Sequence, residues 1–104
     1  MTFELRIYRS TPGKMPLLLT RFREHTVELF SKHGIQSLGY WVSDNDPDLL
    51  IYIVQHEGIP TKNWEAFIND ENWIKARDKS EENGPLVESI ESHFMSPTDF
   101  SKIK

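Results

Sequence analysis

The chain has 104 residues, 38% hydrophobic and 12% aromatic, enough for one domain with a real core and too few for two, so residues 1–104 are expected to form a single domain. Twelve basic against sixteen acidic residues give a net charge of −4 with no block of like charge, which excludes nucleic acid as an expected partner. With no cysteine there is no disulfide framework, thiolate nucleophile or thiolate metal site, which fits a reducing, cytoplasmic setting.

In chain order, residues 3–10 alternate as a strand, and Thr11-Pro12-Gly13 ends it. A helix is predicted next. Met15, Leu18, Leu19, Phe22, Thr26, Leu29, Phe30 and His33 draw one stripe at spacings of three and four, while Arg21, Arg23, Glu24, Glu28 and Lys32 lie off it. Pro16 is tolerated in the first turn, and Gly34 is a natural stop. Residues 35–43 and 49–56 read as a hairpin around the turn formers Asp44-Asn45-Asp46-Pro47-Asp48. Thr61 is predicted to cap a short helix carrying Trp64, Phe67 and Ile68, and Asp70 a second carrying Trp73 and Ile74. Asn83-Gly84-Pro85 precedes a last strand, residues 86–95. The order is that of a ferredoxin-like βαββαβ, α+β subunit with helices on one face of a four-stranded antiparallel sheet. The N-terminus shows no basic segment followed by an apolar one, and the longest strongly apolar run, 49–54, is far below a membrane span.

The hairpin strands scarcely alternate: Leu38-Gly39-Tyr40-Trp41-Val42 and Leu49-Leu50-Ile51-Tyr52-Ile53-Val54 are apolar on both faces, so both faces are expected to be covered. Phe3, Leu5 and Ile7 are assigned to the helix side with Leu49, Ile51 and Ile53, and Trp41 goes with them into the core. Arg6, Tyr8, Leu50, Tyr52, Val54 and His56 then face away from the helices, where a second copy of the chain would enclose them between stacked sheets. In the last strand Ile90 and Phe94 suit the helix side, which sends Glu91 and His93 to the far face beside Arg6 and Tyr8.

Glu4-Leu5-Arg6-Ile7-Tyr8 followed by Pro12-Gly13-Lys14, then Gly39-Tyr40-Trp41, Leu50-Ile51-Tyr52, and Trp64-Glu65-Ala66-Phe67-Ile68-Asn69-Asp70-Glu71-Asn72-Trp73, resemble the NIPSNAP family. That family belongs to the dimeric α+β barrel superfamily. The resemblance runs from residue 3 to about residue 100, with Glu71 where the family usually has proline. It implies a ferredoxin-like subunit whose sheet pairs with another to close a barrel, hence a homodimer, with assembly beyond the dimer left open. NIPSNAP proteins have no settled enzymatic activity. Superfamily relatives include cofactor-free monooxygenases acting on aromatic polyketides, haem-degrading enzymes, and small dehydratases or isomerases.

The candidate pocket gathers Arg6, Tyr8, Tyr52, Glu91 and His93: a guanidinium, two phenols, a carboxylate and an imidazole suit a small organic molecule with an aromatic or anionic part. The alternative is that these groups pair with one another at the interface. His25 and His33 stand eight apart on a helix, about 12 Å, too far to share a metal. Phosphate loops, His-Glu-x-x-His helices and nucleophile elbows are missing, so no cofactor or metal is expected. Three functions follow: a homodimeric NIPSNAP-like protein binding a small molecule in the barrel interior; a cofactor-independent monooxygenase in which His93 or Tyr52 takes a phenolic proton; or a non-enzymatic protein-interaction module.

Overall fold

Period-two alternation from the first residues makes β1 (Thr2–Ser10), and Gly13, at φ +77°, turns the chain into α1 (Met15–Arg21). The computed structural model describes residues Met1–Lys104. From α1 the helix runs without a break through a π-helical turn (Phe22–Thr26) into α2 (Val27–Lys32). β2 (Ile35–Val42) and β3 (Leu49–His56) form the hairpin, α3 (Pro60–Ile68) and α4 (Glu71–Ser80) follow, and β4 (Val87–Met95) closes the order. Asp70 caps α4 as its sequence position predicts, its carboxylate accepting the Asn72 N–H at 2.8 Å. α3 instead starts at Pro60 after an extended Ile59 and has no side-chain cap, so Thr61 lies inside the helix. The proline supplies the start, because its fixed φ suits a first turn and its missing N–H needs no partner there.

The strands form one antiparallel sheet in the order β2-β3-β1-β4, the expected α+β, ferredoxin-like arrangement. Met15, Leu18, Phe22, Leu29 and Phe30 from the first helical stretch pack with Phe67 of α3 against Tyr8, Leu50, Tyr52 and Val54 of the sheet. Aromatic rings hold this layer together at ordinary edge-to-face distances, with Phe22 5.4 Å from both Tyr40 and Tyr52, and Phe30 4.9 Å from Phe67.

The expected assignment of the sheet faces is reversed in β1 and β3. Glu4, Tyr8, Ser10, Leu50, Tyr52, Val54 and His56 are the buried, helix-side residues, whereas Leu5, Ile7, Leu49, Ile51 and Ile53 lie on the open face and are only partly covered. In β4 the phase is as expected: Ile90 pairs with Tyr8 and Phe94 with Glu4, so both take the helix side. Trp41 suffers the same reversal as β1, since it pairs with Ile51 on the open face and is 55% exposed instead of core. Its ring lies over Gly39, where a Cβ would come within 2.4 Å of the indole. Between Ser37 and Gly39 the β2–β3 register shifts, leaving Leu38 unpaired and bringing Tyr40 opposite Tyr52 under the helices.

Candidate functional site

β1 places Glu4, Arg6 and Tyr8 at successive inward positions, and β3 sets Tyr52 opposite Arg6 and His56 opposite Thr2. The Glu4 carboxylate is wholly enclosed and must find its solvation inside the chain. It does so with four donors. Oε1 accepts His56 Nε2 at 2.7 Å and the Trp64 indole N–H at 2.8 Å; Oε2 accepts Arg6 Nη1 at 2.9 Å and the Ser92 hydroxyl at 2.5 Å. Burial alone would push this carboxyl up, but the His56, Ser92, Arg6 and Trp64 hydrogen bonds together outweigh it and hold the group at about 2 against an ordinary 4.5. The Asn63 amide fixes the tautomer of His56. Its Nδ2 donates to the carbonyl oxygen of Glu57 at 2.8 Å and faces His56 Nδ1 at 3.2 Å, so Nδ1 accepts and Nε2 carries the proton given to Glu4.

Arg6 gives two further donors to the phenols. Nε donates to the Tyr52 hydroxyl at 2.8 Å and Nη2 to the Tyr8 hydroxyl at 3.1 Å, while the guanidinium lies over the Trp64 ring, 4.2 Å from its centre. Burial works against the charge, but Tyr8, Tyr52 and Glu4 outweigh it and keep Arg6 more firmly protonated than usual. The two phenols are themselves 2.9 Å apart. Burial, reinforced by Tyr8, pushes the Tyr52 hydroxyl well above its ordinary range, and burial pushes Tyr40 up to about 12 despite its bond with Ser37.

Tyr8 also lines a cavity of about 190 Å³ between the sheet and the helices. Phe22, Phe30, Phe67 and Trp73 supply apolar walls, and Arg21, Arg77 and Glu81 supply charge, with half-exposed Ile90 of β4 also on the lining. Arg21 is 6% exposed although its helical phase put it off the apolar stripe. The wide π turn beginning at the next residue brings the Thr26 hydroxyl back to the Arg21 carbonyl at 3.2 Å, and such turns recur at functional sites. Arg21 Nη1 is held by Ser80 at 3.1 Å and Glu81 at 3.0 Å, and its Nε–H has no acceptor in the chain.

Of the five residues expected to share a pocket, Arg6, Tyr8 and Tyr52 therefore meet, but beneath the helices. Glu91 and His93 do not join them. They pair with Ile7 and Leu5 on the open face, more than half exposed, where His93 Nε2 lies 2.7 Å from Glu91. Glu4, His56, Trp64 and Arg21 belong to the buried cluster or the cavity and were not assigned to a site from sequence. The one signal that pointed to Glu4 was its parity with Arg6 and Tyr8 in β1. A larger groove between α2 and α4, about 640 Å³, carries Glu24 and Glu28 among Lys32, Lys75 and Lys79, opposite charges on an open surface.

The NIPSNAP family profile matches residues 3–102 of this sequence. The chain belongs to the NIPSNAP family. A solved NIPSNAP family protein from Agrobacterium tumefaciens superposes with a TM-score of 0.84 at 26% identity, over 99% of this chain and 98% of that one. An uncharacterized NIPSNAP domain protein from Burkholderia xenovorans gives 0.79 at 21% identity, over 97% and 98%. An antibiotic biosynthesis monooxygenase shares the fold at a TM-score of 0.65 and 15% identity, over 94% and 99%. No curated protein matches the sequence. In this NIPSNAP chain no helix is long and apolar enough to cross a membrane.

Proposed function

We propose that this NIPSNAP-family protein binds a small organic molecule in the cavity between its sheet and helices, and does so as a homodimer joined through the open sheet faces. The observation that carries the binding reading is the cavity: four aromatic walls, with Tyr8 and Arg21 among its polar lining, the mixture by which small-molecule sites are recognised. Its volume limits the occupant to about one ring, since a cavity of about 150 Å³ suffices for benzene. The site thus moves from between two sheets, where the sequence alone put it, to within each subunit. For the monooxygenase reading the bases considered were Tyr52, whose hydroxyl burial keeps protonated, and His93, which stands on the opposite face; neither supports it.

The dimer rests on the open face. Leu38 and Trp41 are each more than a third exposed there, beside partly covered Leu5, Ile7, Ile51 and Ile53. Four strands about 4.8 Å apart and eight residues at about 3.3 Å make a face of roughly 19 by 26 Å. Two such faces would bury on the order of 1,000 Å², where stable interfaces begin.

Native mass spectrometry of gently purified protein tests both parts. The expected result is a dimer carrying extra small-molecule mass, lost in Ile90→Trp, which fills the cavity, and kept in His93→Ala. Extra mass that survives Ile90→Trp and disappears in His93→Ala would move the site to the open face. A monomer would remove the assembly.

A further inference from the structure

Resting on the homodimer reading above, we infer that the segment after β4 is the clasp of that dimer: Phe100 of each copy seats its ring in an apolar groove on the open face of the other. At the end of β4 the chain turns back over this face, where Thr98, Ser101 and Ile103 share a groove of about 450 Å³ with Phe3, Ile53 and Trp41. Phe3 is only 5% exposed there, whereas Leu5 and Ile7 of the same strand stay partly open. The segment holds its course with bonds of its own. The Ser101 N–H donates to the Thr98 carbonyl oxygen at 3.2 Å, and the Ser101 hydroxyl to the Ile103 carbonyl oxygen at 2.6 Å. Within that turn Phe100 is left 83% exposed, the most exposed large apolar side chain of the protein.

Chemistry and position choose the occupant. No lining residue of the groove carries a charge, and its polar side chains are hydroxyls alone, so it takes an uncharged, apolar group; about 150 Å³ suffices for a ring the size of benzene. Phe100 is such a group. It stands in the chain between Thr98 and Ser101, both on the groove lining, and is thus carried to the margin of the face that two copies would share. A two-fold pair makes the contact reciprocal, since the ring that enters the partner's groove is matched by the partner's ring entering this one. Tail and groove lie toward the same end of the sheet, so the axis runs along the strands and lays β4 of one copy over β2 of the other. The area agrees with this arrangement. With 83% of its surface free, Phe100 offers about 170 Å², and two such rings raise the roughly 1,000 Å² of the bare faces into the standard range of stable interfaces.

Two measurements on the full-length chain test the clasp. Sedimentation across a concentration series should give Phe100→Ala a dimer Kd at least tenfold above that of the unaltered protein and leave Phe100→Leu, which keeps an apolar group, within about threefold. Because the chain has no cysteine, a single introduced thiol reports contact between copies: Asp99→Cys and tagged Leu38→Cys, mixed and treated with a short bismaleimide, should join across copies, and addition of Phe100→Ala to the Asp99→Cys copy should abolish the product. A dimer that Ile51→Lys disrupts, but whose Kd is unchanged in Phe100→Ala and whose mixed copies do not join, would overturn the clasp and leave the homodimer standing. Extra apolar mass on the dimer that is lost in Leu38→Trp would give the groove to a ligand and overturn the clasp as well. Unaltered protein that sediments only as a monomer at micromolar concentration would remove both readings.

Discussion

Replacing Glu4 by glutamine keeps the shape of the side chain and removes the charge that four donors converge upon. One amide oxygen can still accept from His56 and Trp64, but the amide nitrogen is then turned toward Arg6 Nη1 and the Ser92 hydroxyl, which are donors to Oε2 in the native chain. Arg6 is left a buried cation, 14% exposed at its side chain, without a counter-charge. Breaking one partner out of such a pair costs about 3–5 kcal/mol, a large share of a small domain's roughly 5–15 kcal/mol. Urea unfolding at pH 7 should therefore show Glu4→Gln less stable by about 3 kcal/mol. A second reading comes from acid. Because the folded carboxyl sits at about 2 against 4.5, its contribution is complete above pH 4.5 and is lost as the pH falls toward 2. At about 1.4 kcal/mol per pH unit of displacement, that is roughly 3 kcal/mol. The gap between wild type and Glu4→Gln should close over that window and stay constant above pH 5. A loss below about 1 kcal/mol at pH 7, or a gap unchanged near pH 2, would refute the account of the cluster as a solvated buried ion pair.

Two further outcomes bear on the outer parts of the fold. Ile51→Lys puts a charge in the middle of the open face, and sedimentation should show a monomer with near-normal thermal stability, whereas Val54→Lys, whose site is fully enclosed beneath the helices, should fail to fold. Asp70→Ala removes the α4 cap together with the bonds from Lys32 at 2.9 Å and His33 at 2.7 Å. His33, Lys32 and the Asn72 N–H hold that carboxyl well below its ordinary value, and thermal unfolding should report a lower midpoint for Asp70→Ala than for the native chain.

Turns, the Asp70 cap and the helical stripe were legible because each depends on neighbours close in sequence, whereas the cap expected of Thr61 gave way to a proline start. Asp70 caps what it was expected to cap, Gly34 at φ +77° ends α2, and Met15, Leu18, Phe22, Thr26, Leu29 and Phe30 are buried on one face. The convergence of Arg6, Tyr8 and Tyr52 was legible too, since cross-strand register follows from hairpin order. Arg21 was not, because the groups that hold it, Ser80 and Glu81, come from the far end of α4 and lie distant in sequence.

The sheet faces show where local reasoning ends. Alternation in β1 separates Phe3, Leu5 and Ile7 from Glu4, Arg6 and Tyr8, and that separation is determined by sequence alone. Which set lies beneath the helices is not. β3 is apolar on both faces and carries no phase, so the usual preference for apolar-inside was applied to β1 and gave the wrong side. The tertiary structure decides the matter through groups distant in sequence: Trp64 of α3, His56 of β3 and Ser92 of β4 bring the donors that make an enclosed carboxylate tolerable. A charged face can be the inside when other elements supply its solvation, and no single strand contains that information.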